Sequence, residues 1–375
     1  MANPSLQIGN SNWAIKEDNL LGYSTAGTRF VPQPITMTRA SAGTRVNSSG
    51  LVETVELLGS EEIVNGDFAS DLTGWTGYGT RSATGGVATI GASANSGIYQ
   101  GILTQGVTYT VTINVTSYNG VGTAQFINDA GANLYTITSI GIQTFTFIST
   151  IASSNLILRG LSNALFSVSS VSVKESTKNN LARVDYDGTA SSLLAEPQRT
   201  NLIPYGEDFS NWSALGTITV TTNDTTSPSG GLTADKVLGL DSASAINQIV
   251  NGTSGIEYTN SCYIKNLDAT SSSLLIRNGI TAVSSLLNWS GSVLSSITNN
   301  TGTTTFTDEG NGWYRLISTY TSLEATQRPR IYPAIGTANT SVYIWGAQLE
   351  EGSYATSYIP TSGSTVTRNQ DIFTR

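Results

Sequence analysis

The chain of 375 residues is 38% hydrophobic and only 12% charged, which suits two or three domains with substantial cores. Its net charge of −8, without any run of basic residues, excludes nucleic acid as a partner, because phosphate backbones are bound by clustered Lys and Arg. No apolar stretch reaches the ~18–20 residues that span a bilayer, so we expect no membrane segment.

Reactive side chains are few. Cys262 is the single cysteine, so an intrachain disulfide is impossible. The chain has no histidine, which removes the commonest general base and the usual zinc ligand. The opening "MANPSLQIGNSNW" has neither the basic nor the apolar region of a secretory signal. We therefore expect synthesis and folding in a reducing cytosol.

Residues 1–60 differ from the rest of the chain and are interpreted as an N-terminal attachment segment. The phrase "SNWAIKEDNLLGYS" predicts one short helix with Ser11 as its cap. The next stretch alternates between apolar and polar residues and contains the turn signal "NSSG". It predicts a β-hairpin of Ile35–Val46 against Leu51–Leu57.

Two long regions, residues 61–176 and 201–361, predict an all-β fold of two tandem jelly-roll β-sandwiches. In "VTYTVTINVTSY" apolar and polar residues alternate with the period of a half-buried strand. Each region has the size of a β-sandwich. Residues 177–200 between them are interpreted as a packed connector, and residues 362–375 as a strand that returns to the base.

The second region repeats phrases of the first in the same order. The opening "NGDFASDLTGW" matches "YGEDFSNW", the central "YTVTINV" matches "YTNSCYIKN", and the closing "FSVSSVSVKE" matches "SVYIWGAQLEE". The period is too long for a solenoid repeat. The repetition therefore predicts two copies of one domain plan.

Five phrases carry a resemblance to a known family: "NWAIKEDNLLGY", "TMTRASAGTRVNSSGLVE", "ARVDYDGTASSLLAEPQRTNLIPYGEDFSNW", "WYRLISTYT" and "YIWGAQLEEGSYATSYIPTSGSTVTRNQD". They resemble bacteriophage and prophage structural proteins, which carry lectin-like or carbohydrate-binding-module-like jelly rolls on the virion. The resemblance covers residues 12–56 and 182–371. The first sandwich, which interrupts it, resembles jelly rolls appended to bacterial polysaccharide hydrolases.

The resemblance implies a place on the virion surface, as a head fibre, a capsid decoration or a tail-fibre component. It also implies a homotrimer that attaches through residues 1–60 to other virion proteins of the capsid, portal, tail or fibre. The jelly rolls would point outward and bind host-surface or environmental glycans. Many copies per particle would turn weak sites into useful avidity.

A Thr-x-Thr-Arg phrase occurs near both ends, at Thr36–Arg39 and Thr365–Arg368. Together with the resemblance, it predicts that the early hairpin, the connector and the late phrase lie in one base. The two phrases are expected to pair or to lie side by side. The first sandwich would then be an insertion, which is tolerated where the termini of a domain lie close together.

Aromatic side chains are the candidate glycan-binding residues, because sugar rings stack their apolar faces on aromatic rings. The candidates expected to be exposed are Tyr78, Tyr99, Tyr118 and Tyr135 in the first sandwich and Trp289, Tyr320 and Tyr332 in the second. The alternative for the tyrosines is packing at a surface or an interface. Four tryptophans in strand-like or opening phrases are instead expected in the cores: Trp75, Trp212, Trp313 and Trp345.

Carboxylates offer little for catalysis. Glycoside hydrolysis needs two carboxyl groups ~5–9.5 Å apart, and neighbours on a strand point to opposite faces. The pairs present are Asp67 with Asp71, Glu207 with Asp208, Asp308 with Glu309, and Glu350 with Glu351. We therefore expect no enzyme; the competing functions are a polysaccharide depolymerase spike and a free lectin or adhesin.

No cofactor is expected. The alternative is one structural calcium near the start of a module, which jelly rolls of the carbohydrate-binding type often hold. Its ligands would come from Asn65, Asp67, Glu207 and Asp208.

Overall fold

The structure, a computed structural model, confirms the predicted all-β fold. It describes the side chains of residues 36–374 except 92, 153 and 189, and, before residue 36, the backbone of four short strands. One 3-10 turn, Phe209–Asn211, is the single helical element among the described residues. The chain divides into two compact units, Glu56–Thr177 and the combination of Met1–Val55 with Lys178–Arg375.

The residues that the structure describes in the N-terminal part include six strands, two of them within the stretch predicted as a short helix, so that prediction is wrong. The six strands are β1 Ser5–Leu6, β2 Ala14–Lys16, β3 Asn19–Tyr23, β4 Phe30–Thr38, β5 Thr44–Val46 and β6 Val52–Thr54. Antiparallel partners flank β3 on both sides, β2 and β4. The sheet therefore supplies the backbone hydrogen bonds that a helix would otherwise have to supply.

The predicted hairpin exists but is shorter than expected. Strands β5 and β6 pair from Thr44 opposite Thr54 to Val46 opposite Val52. The predicted turn between them is stabilised by the Asn47 side chain, whose Oδ1 accepts hydrogen bonds from two backbone amides. The stretch before it is not one strand, because the chain leaves β4 at Arg39, whose side chain is buried in an ionic cluster described below.

The first jelly roll is the unit Glu56–Thr177. Its strands are β7 Leu57–Glu61, β8 Thr76–Tyr78, β9 Arg81–Thr84, β10 Val87–Gly91, β11 Asn95–Gly101, β12 Thr108–Tyr118, β13 Thr123–Asn128, β14 Asn133–Ile137, β15 Gly141–Ile148, β16 Asn155–Leu161 and β17 Leu165–Thr177. One sheet has the order β15-β12-β17-β10-β9, with β7 also on β17, and the other has the order β14-β13-β16-β11-β8. The interleaved order of β10 to β17 is that of a two-sheet jelly roll.

The connector contributes three strands to the other unit: β18 Val184–Asp187, β19 Ala190–Leu194 and β20 Arg199–Asn201. The second jelly roll follows, with β21 Ser213–Leu215, β22 Ile218–Thr226, β23 Leu232–Gly239, β24 Ala245–Asn247, β25 Val250–Asn251, β26 Glu257–Asn266, β27 Ser271–Asn278, β28 Ile280–Ser290, β29 Val293–Thr301, β30 Thr303–Gly310, β31 Trp313–Thr321, β32 Thr326–Tyr332 and β33 Thr340–Glu351. The chain ends in β34 Val366–Arg368 and β35 Ile372–Thr374.

The two sheets of the second jelly roll repeat the strand order of the first. One sheet runs β22-β23-β33-β26-β31-β30, and the other runs β21-β24-β32-β27-β28-β29, with β25 also on β32. Strands β23, β33, β26 and β31 occupy the places of β10, β17, β12 and β15. The matched phrases therefore fall on equivalent strands, β12 with β26 and β17 with β33.

A hydrogen bond from a turn amide to a buried tyrosine also recurs in both jelly rolls. The hydroxyl of Tyr109 accepts a hydrogen bond from the Thr104 backbone N at 2.9 Å, and Tyr258 accepts one from Thr253 N at 2.7 Å. In each copy the tyrosine is the second residue of its strand and lies five residues after the threonine, in "TQGVTY" and "TSGIEY". The buried hydroxyl thus fixes the turn that leads into the central strand.

The opening phrases also act alike in both copies. The indole Nε1 of Trp75 donates to Asn65 O, and that of Trp212 donates to Tyr205 O, both at 3.0 Å. Each tryptophan packs against a phenylalanine of its own phrase, with ring centroids 5.6 Å and 5.1 Å apart. Trp212, Trp313 and Trp345 are buried, and Trp75 packs on the first core, so the prediction of core tryptophans is confirmed.

The base consists of short sheets built from both ends of the chain and the connector. Strand β34 pairs with β20, and β35 pairs with β4. The two Thr-x-Thr-Arg phrases therefore do not pair with each other, so the pairing alternative of that prediction is wrong. Their backbones take different partners, while their arginine side chains reach the same cluster.

One sheet of the second jelly roll is covered on its outer face by the base. Val52 of β6 and Tyr358 join Tyr263, Trp313 and Trp345 of that sheet in a small apolar cluster. The other sheet, with β24, β32, β27 and β28, carries half-buried and exposed residues on its outer face. The base and the second jelly roll thus belong to one compact unit.

Candidate functional site

The outer face of the sheet β14-β13-β16-β11-β8 in the first jelly roll brings two predicted residues together. Leu156 and Leu158 of β16 point into the core, so Ile157 and Arg159 point outward. The pairing of neighbouring strands places Tyr78, Gly97, Arg159 and Gln125 in one row, with Tyr99 one step along β11. Both tyrosines are half-buried.

Gly97 makes room for the ring of Tyr78. A Cβ at position 97 would lie 2.8 Å from the Tyr78 Oη and 2.9 Å from its Cζ. The ring therefore lies across the strand at the one position in the row that has no side chain. This arrangement fixes the ring against the sheet, as a stacking platform requires.

Arg159 is held beside the ring by Gln125. With the amide oriented to fit its surroundings, the Gln125 oxygen accepts from Arg159 Nη2 at 2.7 Å and from Nε at 2.8 Å. Burial raises the pKa of the Tyr78 hydroxyl, and the nearby charge of Arg159 partly offsets this. The face thus combines aromatic surface with guanidinium and hydroxyl groups that can bond to sugar hydroxyls.

Two other predicted tyrosines of this module serve the fold. The ring of Tyr135 stacks on Phe145 with centroids 4.4 Å apart, and its hydroxyl donates to Gln143 at 2.9 Å. Tyr118 packs on the same core, and its hydroxyl donates to Gly122 O at 3.1 Å. For these two tyrosines the structure therefore favours the alternative of packing within the protein over sugar binding.

In the second jelly roll the prediction that Trp289 and Tyr320 are exposed is wrong. They are 9% and 7% exposed and belong to the core. Trp289 Nε1 donates to Ser272 Oγ at 2.8 Å, and the Tyr320 hydroxyl donates to Gln327 Oε1 at 3.0 Å. Both alternate inward along their strands, and the polar end of each ring is satisfied inside the sandwich.

Tyr332 is half-buried at the end of β32. Alternation along β32 places it on the same outer face as Arg328 and Arg330, because Pro329 and Ile331 between them are buried. Like Tyr78 and Tyr99, it is therefore partly accessible on the outer face of its sheet.

The four residues considered as calcium ligands do not form a common site. The Asn65 side chain spans its turn, donating to Asp71 O and Thr73 O at 3.0 Å. Asp208 caps the 3-10 turn, while Glu207 accepts from the Tyr358 hydroxyl at 3.1 Å. Asp67 is exposed. No group of three or more metal-ligating side chains is found among the described residues.

The carboxylate pairs serve turns and internal bonds. Asp71 accepts from Thr73 N at 2.7 Å, and Asp308 accepts from Gly310 N at 2.9 Å. Glu350 is buried, where it accepts from Thr356 N at 2.8 Å, while its neighbour Glu351 is exposed. Burial raises the pKa of Glu350.

A cluster of five buried charges lies in the base: Arg39, Arg183, Glu196, Arg368 and Asp371. Asp371 pairs with Arg39 at 2.8 Å and also with Arg183, and Glu196 pairs with Arg183 at 2.8 Å and with Arg368 at 2.7 Å. Burial opposes ionisation of Glu196, but Arg368 and Arg183 outweigh it and hold its pKa below the usual value.

The cluster joins three parts of the chain that are distant in sequence. Arg39 belongs to the early Thr-x-Thr-Arg phrase and Arg368 to the late one, while Arg183 and Glu196 flank β18 and β19 of the connector. The sequence showed that the two phrases are similar, but it did not indicate that their charged residues form ion pairs. No pattern near an isolated Arg or Asp shows which distant residue it will contact.

The chain was also compared with known proteins. No protein-family model matches the sequence, and no curated protein matches it. Among solved structures, the N-terminal CBM22 tandem domain from Paenibacillus barcinonensis is 11% identical, with a TM-score of 0.29, over 79% of this chain and 98% of that chain. The tandem CBM51 modules of a family 98 glycoside hydrolase from Streptococcus pneumoniae are 11% identical, with a TM-score of 0.25, over 85% and 100%.

A phage structure is also similar in part. The enzymatically active domain of tailspike protein 4 from bacteriophage CBA120 is 18% identical, with a TM-score of 0.28, over 40% of this chain and 21% of that chain. At these identities and TM-scores the likenesses carry no function over to this chain. No helix with the length and hydropathy of a membrane span is found in the described part of the chain.

Proposed function

We propose that the chain is a structural protein of a phage virion, as a head fibre, capsid decoration or tail-fibre component, and that its first jelly roll binds glycans. The observation that carries glycan binding is the outer face with Tyr78, Tyr99 and Arg159. Two aromatic rings lie there beside a guanidinium whose position Gln125 fixes. The Tyr78 ring is held over Gly97 before any ligand arrives.

This face suits a sugar chain more than a compact small molecule. It is the flat outer side of a sheet, so a ligand can extend along it. Aromatic rings accept the apolar side of a pyranose, and Arg159 and the tyrosine hydroxyls meet its hydroxyl groups. Because the pair of Arg159 and Gln125 is already formed, little side-chain freedom is lost on binding.

The virion assignment rests on the phrases that resemble phage structural proteins. Their arginines supply the buried cluster of the base, so the resembling segments form one connected part of the fold. In the proposal this base carries the jelly rolls, residues 1–60 attach to other virion proteins, and the assembly is a homotrimer. The protein acts by binding and not by catalysis, and it needs no cofactor.

The glycan part is tested with the full chain on an array of bacterial surface polysaccharides. Tyr78→Ala is expected to weaken binding to the captured glycan about tenfold, which is ~1.4 kcal/mol. Gly97→Val is expected to do the same by displacing the ring. Tyr186→Ala on the connector strand β18, which also removes a half-buried tyrosine, is the matched control and should leave this binding unchanged. Unaltered binding by both first-module variants would refute the assignment of this face.

The virion part is tested separately. An antibody against the protein should label intact particles, and the protein should sediment with them. Light scattering of the purified chain should give three times the mass of one chain. Release of oligosaccharide from the bound polysaccharide would instead favour the depolymerase function.

A further inference from the structure

Charge is segregated between the two sheets of the second jelly roll. The strands β21, β24, β25, β27, β28, β29 and β32 contain three arginines and no Asp or Glu. The strands of the facing sheet carry three cations, Lys236, Lys265 and Arg315, but seven carboxylates: Asp224, Asp235, Glu257, Asp308, Glu309, Glu350 and Glu351. In a chain of net charge −8, one sheet is thus selectively basic.

The three arginines lie together on the outer face of the basic sheet. Arg277 of β27 is directly opposite Arg328 of β32, and Arg330 is two residues further along β32. Opposite side chains on paired strands are about 5 Å apart, and alternate residues on a strand about 7 Å apart. Tyr332 continues the same row on β32.

Like charges placed opposite each other destabilise a sheet, and local carboxylates do not cancel this repulsion. Glu324 lies 3.9 Å from Arg328, but the side chain of Arg328 is 33% exposed and that of Glu324 50%, so the pair contributes little. Among the described residues, no carboxylate pairs with Arg277 or Arg330. Arg330 Nε donates to Asn247 Oδ1 at 3.0 Å, which orients its guanidinium on the face.

We propose that this face binds an acidic polysaccharide, with Arg277, Arg328 and Arg330 contacting uronate carboxylates and Tyr332 stacking on a sugar ring. The guanidinium group is a planar fork that matches the two oxygens of a carboxylate. The spacing of the arginines along two strands suits a chain with repeated charges. Half-buried Leu275 and Leu286 add apolar surface between the polar groups.

Acidic polysaccharide is favoured over nucleic acid by the charge of the whole chain. Nucleic acid binding draws on many phosphate contacts made by a basic surface, whereas here three arginines stand in an acidic protein. The site is separate from the face of the first jelly roll and differs from it in ligand class. It therefore goes beyond the function proposed above.

The test uses the full chain and polygalacturonate as the probe, with fully methyl-esterified polygalacturonate as the neutral match. Calorimetry at low ionic strength should show binding of the acid and at least tenfold weaker binding of the ester. Raising the salt concentration should weaken binding of the acid. The combined variant Arg277→Gln, Arg328→Gln and Arg330→Gln should lose at least tenfold in affinity.

Lys236→Gln removes one positive charge from the opposite sheet and should leave the affinity unchanged within twofold. Tyr78→Ala should also bind polygalacturonate normally, which separates this site from that of the first jelly roll. No binding by the wild type, equal binding of acid and ester, or tighter binding of a single-stranded oligonucleotide would each overturn the proposal. All three outcomes are measured on the wild type, so they hold even if the triple variant misfolds.

Discussion

The two jelly rolls share their interior and differ in what they show on the outside. Both have the same interleaved strand order, a tyrosine that fixes the turn into the central strand, and a tryptophan that closes the opening phrase. Outside, the first shows tyrosines beside an Arg–Gln pair, and the second shows an arginine row on one sheet and a base-covered surface on the other.

The comparison separates two sets of positions on each strand. Inward positions are mostly apolar because burial favours apolar side chains, and so both copies follow one plan. Outward positions carry no such restriction, and they differ in charge and chemistry between the copies. The functions proposed for the two modules therefore depend on outward-facing residues, which the packing of the core does not constrain.

The largest expected effect on stability concerns the base, which belongs to the same compact unit as the second jelly roll. Asp371→Asn removes the carboxylate that pairs with Arg39 and Arg183, leaving buried charge uncompensated. Loss of one partner from a buried pair costs roughly 3–5 kcal/mol. Thermal unfolding should show a markedly lower Tm for this unit and an unchanged transition for the first jelly roll.

The control is the ion pair of Arg45 and Glu53, which is partly open to solvent, with side chains 24% and 37% exposed. Glu53→Gln should cost under ~1 kcal/mol, because ion pairs that solvent reaches contribute little. Equal losses from Asp371→Asn and Glu53→Gln would contradict the view that burial makes the cluster important.

The cluster also predicts a pH-dependent contribution to stability that should be confined to the unit containing the base. Arginines hold the folded pKa of Glu196 below its usual value, so its stabilisation is present above the unfolded pKa of about 4.3. It is lost as the pH falls through the lower folded pKa. The stability difference between wild type and Glu196→Gln should be largest at neutral pH and shrink below about pH 4.

Denaturant titrations of both proteins between pH 7 and pH 3 measure this difference. A stability difference between wild type and Glu196→Gln that stays constant down to pH 3 would contradict the lowered pKa of Glu196. The transition of the first jelly roll should be the same in both proteins at every pH, which serves as the internal control.

A smaller effect is expected at the two tyrosine turns. Tyr109→Phe and Tyr258→Phe each remove the acceptor of one backbone N–H, at Thr104 and at Thr253. Loss of such a bond costs about 1–2 kcal/mol. Each variant should lower the Tm of its own unit only, and by a similar amount. A loss in one copy alone would show that the shared geometry stabilises only that copy.

Much of the fold was predictable because its signals are local. Alternation along strands such as β12 and β16 indicates sheets with one buried face. The repeated opening, central and closing phrases indicated two copies, and they fall on equivalent strands. The errors at Trp289 and Tyr320 arose because an isolated aromatic residue on an alternating strand gives no sign of which face is buried.

The candidate site was predicted only in part. Tyr78 and Tyr99 were candidates, but Arg159, Gln125 and Gly97 were not. The phrase "NLILRGL" contains a signal, because Arg159 is a charged residue at an alternate position of an otherwise apolar strand. Its partner Gln125 lies on another strand, and nothing near it in sequence indicates the pairing.

The sequence by itself determined the β class, the two-copy plan and the scarcity of catalytic groups, because composition and period-two alternation act over a few residues. The tertiary structure decided which tyrosines are accessible, which arginines share a face and which charges meet in the base. Those outcomes depend on strand order and register, which are set by contacts between residues far apart in the chain. The physical reason is that alternation within one strand shows that one of its faces is buried. Which residues become neighbours across a sheet depends on how all the strands pair.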